Sequence, residues 1–421
     1  MSTKKLQNRF YIFMVILGIA LFFFLRLYRL SDRLNFYRDT ADLLGMTREV
    51  WQEKKITALG PMVLTTEVNG RSIFYGSFYI YATLPLALIA NWDPLPMSAL
   101  VAIAQFISIA LASIALTKRV GRKLGLLFFF LGATFPAFVN YSNWIWNPNY
   151  GMILSFLSIY VIEKIMTKPK PLYLVSLGIL TGLNLQLHWL YWLVVPILAI
   201  YVLARYKAKK LLFFLLGVGI GNFPFFIFEL RNNFYNTLTI FYIIQNYGSR
   251  TSTFHLPEHY YSIFYPFLPY FVVSIIHKQK KWKRLLSGFL VLIILLSLFA
   301  SAQRAMAGQP FGIYEWWTYK DQLKTVEIIS SQGEEYYNVA NVIYADTREY
   351  PIRYLLERKG QKIMPVDAYA RTNVLYLLSD EEKPLEHQVW EIDAVKPATI
   401  VASWPINDRV TLYKVERDEK I

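Results

Sequence analysis

Residues 9–28 read RFYIFMVILGIALFFFLRLY, and a few positions later residues 34–45 read LNFYRDTADLLG. The first stretch has the length and apolarity of a bilayer crossing, which needs about 20 mostly apolar residues. The second changes period: apolar Phe36, Leu43, Leu44, Met46 and Val50 make an amphipathic helix, and Asp39 and Asp42, three apart, share a face of it. A crossing followed by an acid-bearing amphipathic helix puts carboxylates at a membrane surface, where partial loss of water raises their basicity. A solvated helix whose early acids are favoured by its dipole gives the same pattern.

The rest of the chain enlarges on the first stretch. Its 421 residues are 55% hydrophobic and only 17% charged, where a soluble chain carries roughly a quarter charged. Apolar runs fall at 9–28, 74–91, 98–117, 124–141, 150–164, 172–187, 189–205, 211–229, 260–277 and 285–303. Basic clusters at Lys4/Lys5/Arg9, Lys118–Lys123, Lys164–Lys170, Arg205–Lys210 and Lys278–Arg284 mark cytoplasmic loops. The last four alternate with every second gap; the first fits only if one early run does not cross. The segment 74–91, with Gly76 and Pro85 and no inside signal on its flanks, is that run, an interfacial or re-entrant helix within a first external loop at 29–97. The expected fold is thus a polytopic α-helical membrane protein of about nine spans in the cytoplasmic membrane, N-terminus inside. The N-terminus lacks a small-residue cleavage site and reads as an uncleaved first helix.

Ten of the 29 acidic residues precede residue 303, and nineteen follow. This shift divides the chain into a transmembrane module, 1–303, and a water-soluble extracytoplasmic domain, 304–421. Beyond residue 318, β-rich runs at Val339–Ala345, Val374–Leu378, Thr399–Ala402 and Val410–Val415 surround helical segments at Gln322–Ser330 and Tyr350–Lys359, the pattern of a small α/β domain. Cysteine is absent, which excludes disulfides, thiol catalysis and Cys-held metal. The basic residues lie in short clusters between apolar runs rather than in a nucleic-acid-binding patch.

Three further polar places fall on the outside of this topology. Asn147 and Asn149 lie in Tyr141–Tyr150, where substrate contact and an aromatic interface belt with a Pro-started helix are both open. His188, in Gln186-Leu187-His188 at a span end, suits a phosphate or sugar hydroxyl, or an interhelical hydrogen bond. Glu229 is the sole acid between Glu163 and Glu258 and contacts substrate or pairs with Arg231. The five histidines form no HExxH, and no close acidic cluster accompanies them, so no metal site is indicated.

These places, in this order, resemble the GT-C glycosyltransferase superfamily, in particular the branch of the protein O-mannosyltransferases and lipid A aminoarabinose transferases. The resemblance rests on Phe36-Tyr37-Arg38-Asp39-Thr40-Ala41-Asp42, Gly60-Pro61, the Gly76…Pro85 helix, Ile145-Trp146-Asn147-Pro148-Asn149 and Gln186-x-His188, with a soluble domain after the last span. It covers most of the chain, on short motifs. It implies inverting transfer of a sugar from a polyprenyl-phosphate donor to a lipid, glycan or protein acceptor on the outer face. Asp39 is then the base, and Asp42, Arg38, Asn147, Asn149, His188, Glu229 and Arg231 contact substrate. Arg38, Arg71, His188, Arg231 and Arg250 are the cations on hand for the leaving phosphate. Metal-using relatives place a second acid where this chain has Asn147 and Asn149, so no cofactor is expected and a divalent metal is not favoured. A transporter or flippase, a non-enzymatic envelope-assembly protein and an O-antigen-type polymerase or ligase remain as alternatives. The first would need ionisable groups at mid-membrane, and the last a large loop between late spans.

Overall fold

Prolines punctuate the apolar runs where a helix can begin without loss, because the first turn has no intrahelical use for its N–H groups. Pro94, Pro136, Pro148, Pro171 and Pro224 all stand in the first turn of a helix. The computed structural model of the protein describes residues 3–62, 70–206, 208–247 and 258–419. It divides into two units: residues 1–28 with 47–307, and residues 29–46 with 308–421.

In the first unit, Lys5–Leu27, Pro94–Val120, Asn147–Thr167 and Lys283–Ala307 are each long and apolar enough to cross a membrane. Two further candidates are bent pairs: Arg122–Thr134 with Pro136–Ser142, at 50°, and Ala208–Gly221 with Phe223–Arg231, at 71°. Counting each pair as one span gives six among the described residues; Phe78–Ile89, Pro171–Leu187, Leu190–Arg205 and Phe267–Lys278 are shorter apolar helices. The run at 260–277 is helical only from Phe267, behind two short 3-10 turns. In the first loop, strands β1 (Leu59–Met62) and β2 (Phe74–Gly76) pair antiparallel ahead of the Phe78–Ile89 helix. Glu163, buried in a span, is neutralised by Arg119, whose Nη2 lies 2.7 Å from its carboxylate.

Packing in hydrocarbon gains little from apolar burial, so close backbone approach takes its place. Gly178 and Gly182 of Pro171–Leu187 face Gly217 and Gly221 of Ala208–Gly221. A Cβ on Gly182 would lie 2.6 Å from the Val218 carbonyl, and Cβ atoms at the other three would overlap backbone carbonyls of the facing helix.

The first bent pair exposes its carbonyls. Pro136 has no N–H to give Gly132, four residues back. Arg26, fully buried in the first helix, donates from Nη2 to Gly132 O (3.1 Å) and Phe138 O (3.2 Å), from Nη1 to Ala133 O (2.8 Å), and from Nε to Gln105 Oε1 (2.9 Å). Ser301 Oγ donates to Thr134 O at 2.8 Å.

In the second unit the sheet order is β3-β4-β6-β5, with β3 (Asn338–Asn341) parallel to β4 (Val374–Ser379), and β5 (Ala398–Pro405) and β6 (Thr411–Arg417) antiparallel to their neighbours. Helices Tyr319–Ser331 and Tyr350–Arg358 accompany it. The boundary expected at 303/304 falls at 307/308, and residues 29–46, expected within the transmembrane module, belong to this unit. The reason is side-chain chemistry. Phe36 is fully buried edge-on to Tyr319 and Tyr354. Gln322 Nε2 donates to Phe36 O at 2.8 Å, Asn35 Nδ2 to Phe311 O at 2.8 Å, and Lys320 pairs with Asp32 at 2.5 Å.

Arg26→Met leaves the carbonyls at the Pro136 break without their donor. The expected cost is about 3 kcal/mol or more, read as a lowered thermal unfolding midpoint in detergent; an unchanged midpoint would show that the break is satisfied by other means.

Candidate functional site

Asp39 lies in the first turn of the helix Arg38–Glu53, and Asp42 one turn on. Both side chains reach solvent. Protein packed around them still removes enough hydration to raise both carboxyls above the usual range. The Arg38 guanidinium works against that rise in both, and the Asp346 charge adds to it.

Arg38 is held from the loop after β3. Its Nε lies 3.1 Å from Asp346 Oδ2, and its guanidinium sits 5.5 Å from the Tyr350 ring centre. The preceding Tyr37 packs on Tyr344, ring centres 4.7 Å apart. The loop itself is organised by the buried Asn341 side chain. Its Oδ1 accepts from the N–H groups of Ile343 and Tyr344, and its Nδ2 donates to Asp346 O at 2.7 Å and to Glu349 Oε2 at 2.6 Å. Glu349, fully buried in the left-handed region at φ 51°, also accepts from the Tyr344 hydroxyl. Burial pushes its carboxyl up to about 8, so it keeps its proton near neutrality.

In the membrane unit, Asn147 opens the helix Asn147–Thr167. Asn149 Nδ2 donates to Trp144 O, while the Oδ1 atoms of Asn147 and Asn149 are buried with no hydrogen bond. Beside them runs a row of rings: Trp144 on Trp146 (4.3 Å), Trp146 on His259 (4.5 Å), His259 on Tyr260 (4.6 Å) and Tyr260 on His188 (4.6 Å). His188 Nδ1 accepts from Leu190 N at 3.2 Å, so its proton sits on Nε2. Burial pushes the His259 imidazole down to about 4, keeping it neutral. Gln186 is a structural link: Oε1 accepts from Phe78 N at 3.0 Å and Nε2 donates to Gly221 O at 2.6 Å.

Glu229 does not pair with Arg231, which is exposed. Its buried carboxylate accepts from Asn236 N (3.0 Å), Thr237 N (3.0 Å) and Thr237 Oγ1 (2.6 Å), capping the helix Tyr235–Tyr247. That helix carries Tyr235 and Tyr242, whose ring centres lie 5.2 and 5.5 Å from the Arg71 guanidinium. Arg71 Nη1 is buried with no hydrogen bond. Arg250 lies outside the described residues. No three His, Asp or Glu are grouped to hold a metal ion among the described residues.

Within their own units, then, the expected residues fall into separate groups: Arg38, Asp39 and Asp42 in one, and Asn147, Asn149 and His188 along a row of rings in the other. Sequence reasoning passed over Asp346 and His259. An acid just beyond a parallel strand's carboxyl end is the signal that could have found the first.

No family model and no curated protein matches the sequence. Solved structures do. ArnT from Cupriavidus metallidurans in the apo state superposes with a TM-score of 0.61 at 11% identity, covering 97% of this chain and 98% of that one. ArnT from the same organism bound to undecaprenyl phosphate gives a TM-score of 0.56 at 11% identity over the same shares. The chain therefore has the fold of ArnT: a polytopic helical membrane body with a small α/β C-terminal domain.

Proposed function

We propose that the protein is an inverting glycosyltransferase that takes a sugar from a polyprenyl-phosphate donor to a lipid, glycan or protein acceptor on the outer face of the cytoplasmic membrane. The observation that carries this is the likeness to ArnT over nearly the full length of both chains, one of those ArnT structures holding undecaprenyl phosphate. Asp39 is the base. Its raised carboxyl is better matched to an acceptor hydroxyl than an ordinary aspartate would be.

The step balances simply. Asp39 takes the hydroxyl proton, the acceptor oxygen bonds to the anomeric carbon from the face opposite the phosphate, and the carbon–oxygen bond to phosphate breaks. The electron pair leaves on the polyprenyl phosphate, which gains one negative charge. Phosphate leaves readily, so what the reaction needs beyond the base is positive charge held ready for that oxygen.

Purified protein given radiolabelled polyprenyl-phosphate sugars should release or transfer label. Asp39→Asn is expected to lower turnover about 100-fold or more, as loss of a general base does. No turnover with any donor, from folded protein that still binds lipid, would overturn the assignment.

The transfer is also proposed to be metal-independent, because neutral Asn147 and Asn149 stand where an acid would be needed. Treatment with EDTA should leave the rate unchanged. Loss of activity restored by manganese would refute it.

A further inference from the structure

The ion pair between Arg38 and Asp346 links the residue before the proposed base to the loop after β3. The Asp346 carboxylate makes one contact with its own loop, accepting from the Arg348 backbone N–H. The Asp346 backbone carbonyl receives Asn341 Nδ2, and Asn341 Oδ1 accepts from the N–H groups of Ile343 and Tyr344. Glu349, on the same side chain of Asn341, fixes the loop's far end. The Asp346 carboxylate, with its side chain only 14% exposed, is directed to Arg38.

We propose that Asp346 is a positioning residue for Asp39: by holding the Arg38 guanidinium on its own carboxylate, it keeps Arg38 from closing an ion pair on Asp39 or Asp42 and leaves the base open to the acceptor. This rests on the reading of Asp39 as the base. Without Asp346, Arg38 would retain the Tyr350 ring, and the nearest acids in the sequence are Asp39 and Asp42. A base closed in an ion pair is both weaker and geometrically occupied.

The charges around the pair set the sign of the test. Asp39 is raised by burial and by Asp346 and lowered by Arg38. Asp42 is raised by burial, lowered by Arg38, and raised by Asp39 and Asp346. Asp346 is raised by burial, lowered by Arg38 and by the backbone N–H and side chain of Arg348, and raised by Glu391. Tyr37, which faces the same group, is raised by burial and by Glu349, Tyr314 and Asp346. A base must lose its proton to act, so activity falls as pH drops through the Asp39 pKa. Asp346→Asn removes a charge that raises Asp39 and releases one that lowers it. Arg38→Gln removes the lowering charge.

The experiment is the pH–rate profile of sugar transfer by full-length protein, for wild type, Asp346→Asn, Asp346→Glu and Arg38→Gln. Asp346→Asn should move the acid limb to lower pH by about half a unit or more and reduce the plateau rate about three- to tenfold. Arg38→Gln should move the limb to higher pH, and Asp346→Glu should return it towards wild type. A purely structural role would lower the amount of active enzyme without limbs of opposite sign. An unmoved limb in Asp346→Asn, or movement of both variants in one direction, overturns the proposal while the base reading stands. If Asp346→Asn does not fold, Arg38→Gln decides alone: an upward limb supports the proposal and an unmoved one refutes it. Full activity of Asp39→Asn would instead bring down the base reading itself.

Discussion

A backbone carbonyl in hydrocarbon has no water to turn to, so every interruption of a membrane helix must be answered by another group of the protein. This chain interrupts its helices at Pro136 and at Asn222 and answers both from a distance. Arg26 and Ser301 meet the carbonyls at the first break; Gln186 meets Gly221 at the second while also holding the N-terminal end of the Phe78–Ile89 helix. A guanidinium suits the first task because its planar fork offers five donors in fixed directions. Arg26 is therefore a buried cation whose work is dipolar: it faces carbonyl and amide oxygens from three other segments.

The C-terminal unit uses the same economy in water. One amide side chain, Asn341, organises the loop after β3, and one neutral carboxyl, Glu349, closes it. The result is a loop that presents Asp346 to Arg38, with the Asp346 carboxylate also accepting from the Arg348 backbone N–H. Charge at the proposed base is thus set by residues far apart in sequence and brought together by an amide network with no net charge of its own.

Much of this was legible in the sequence. The run at Val374–Leu378 is β4 almost residue for residue, and the Tyr350 helix begins where Pro351 allows it. These are local patterns, and local patterns leave a trace. What left none was non-local. Residues 211–229 read as one apolar span because nothing nearby shows that Gln186 will satisfy a break at Asn222. Tyr235–Tyr247 falls between the apolar runs at 211–229 and 260–277, and its cap, Glu229, precedes it by several residues and looks like half of an ion pair with Arg231. Residues 29–46 follow a crossing in sequence, yet their affinity is for Tyr319, Gln322 and Tyr354. Of the candidate site residues, Asp39 and Asp42 stand out by their spacing and Asn147 by its proline. Asp346 does not, because its meaning depends on Arg38.

The facing glycines of Pro171–Leu187 and Ala208–Gly221 bear on how such a chain can drift. A crowded side chain elsewhere can be relieved by turning a neighbour to another rotamer, but here the obstruction is backbone carbonyl, which has no rotamer to offer. Substitution at Gly178, Gly182, Gly217 or Gly221 must move a whole helix, and with it the Gly221 carbonyl that Gln186 holds. This chain and ArnT share a fold at 11% identity, so the fold tolerates very different side chains. A position defined by the absence of a side chain offers no such latitude here, because any Cβ meets the backbone of the facing helix.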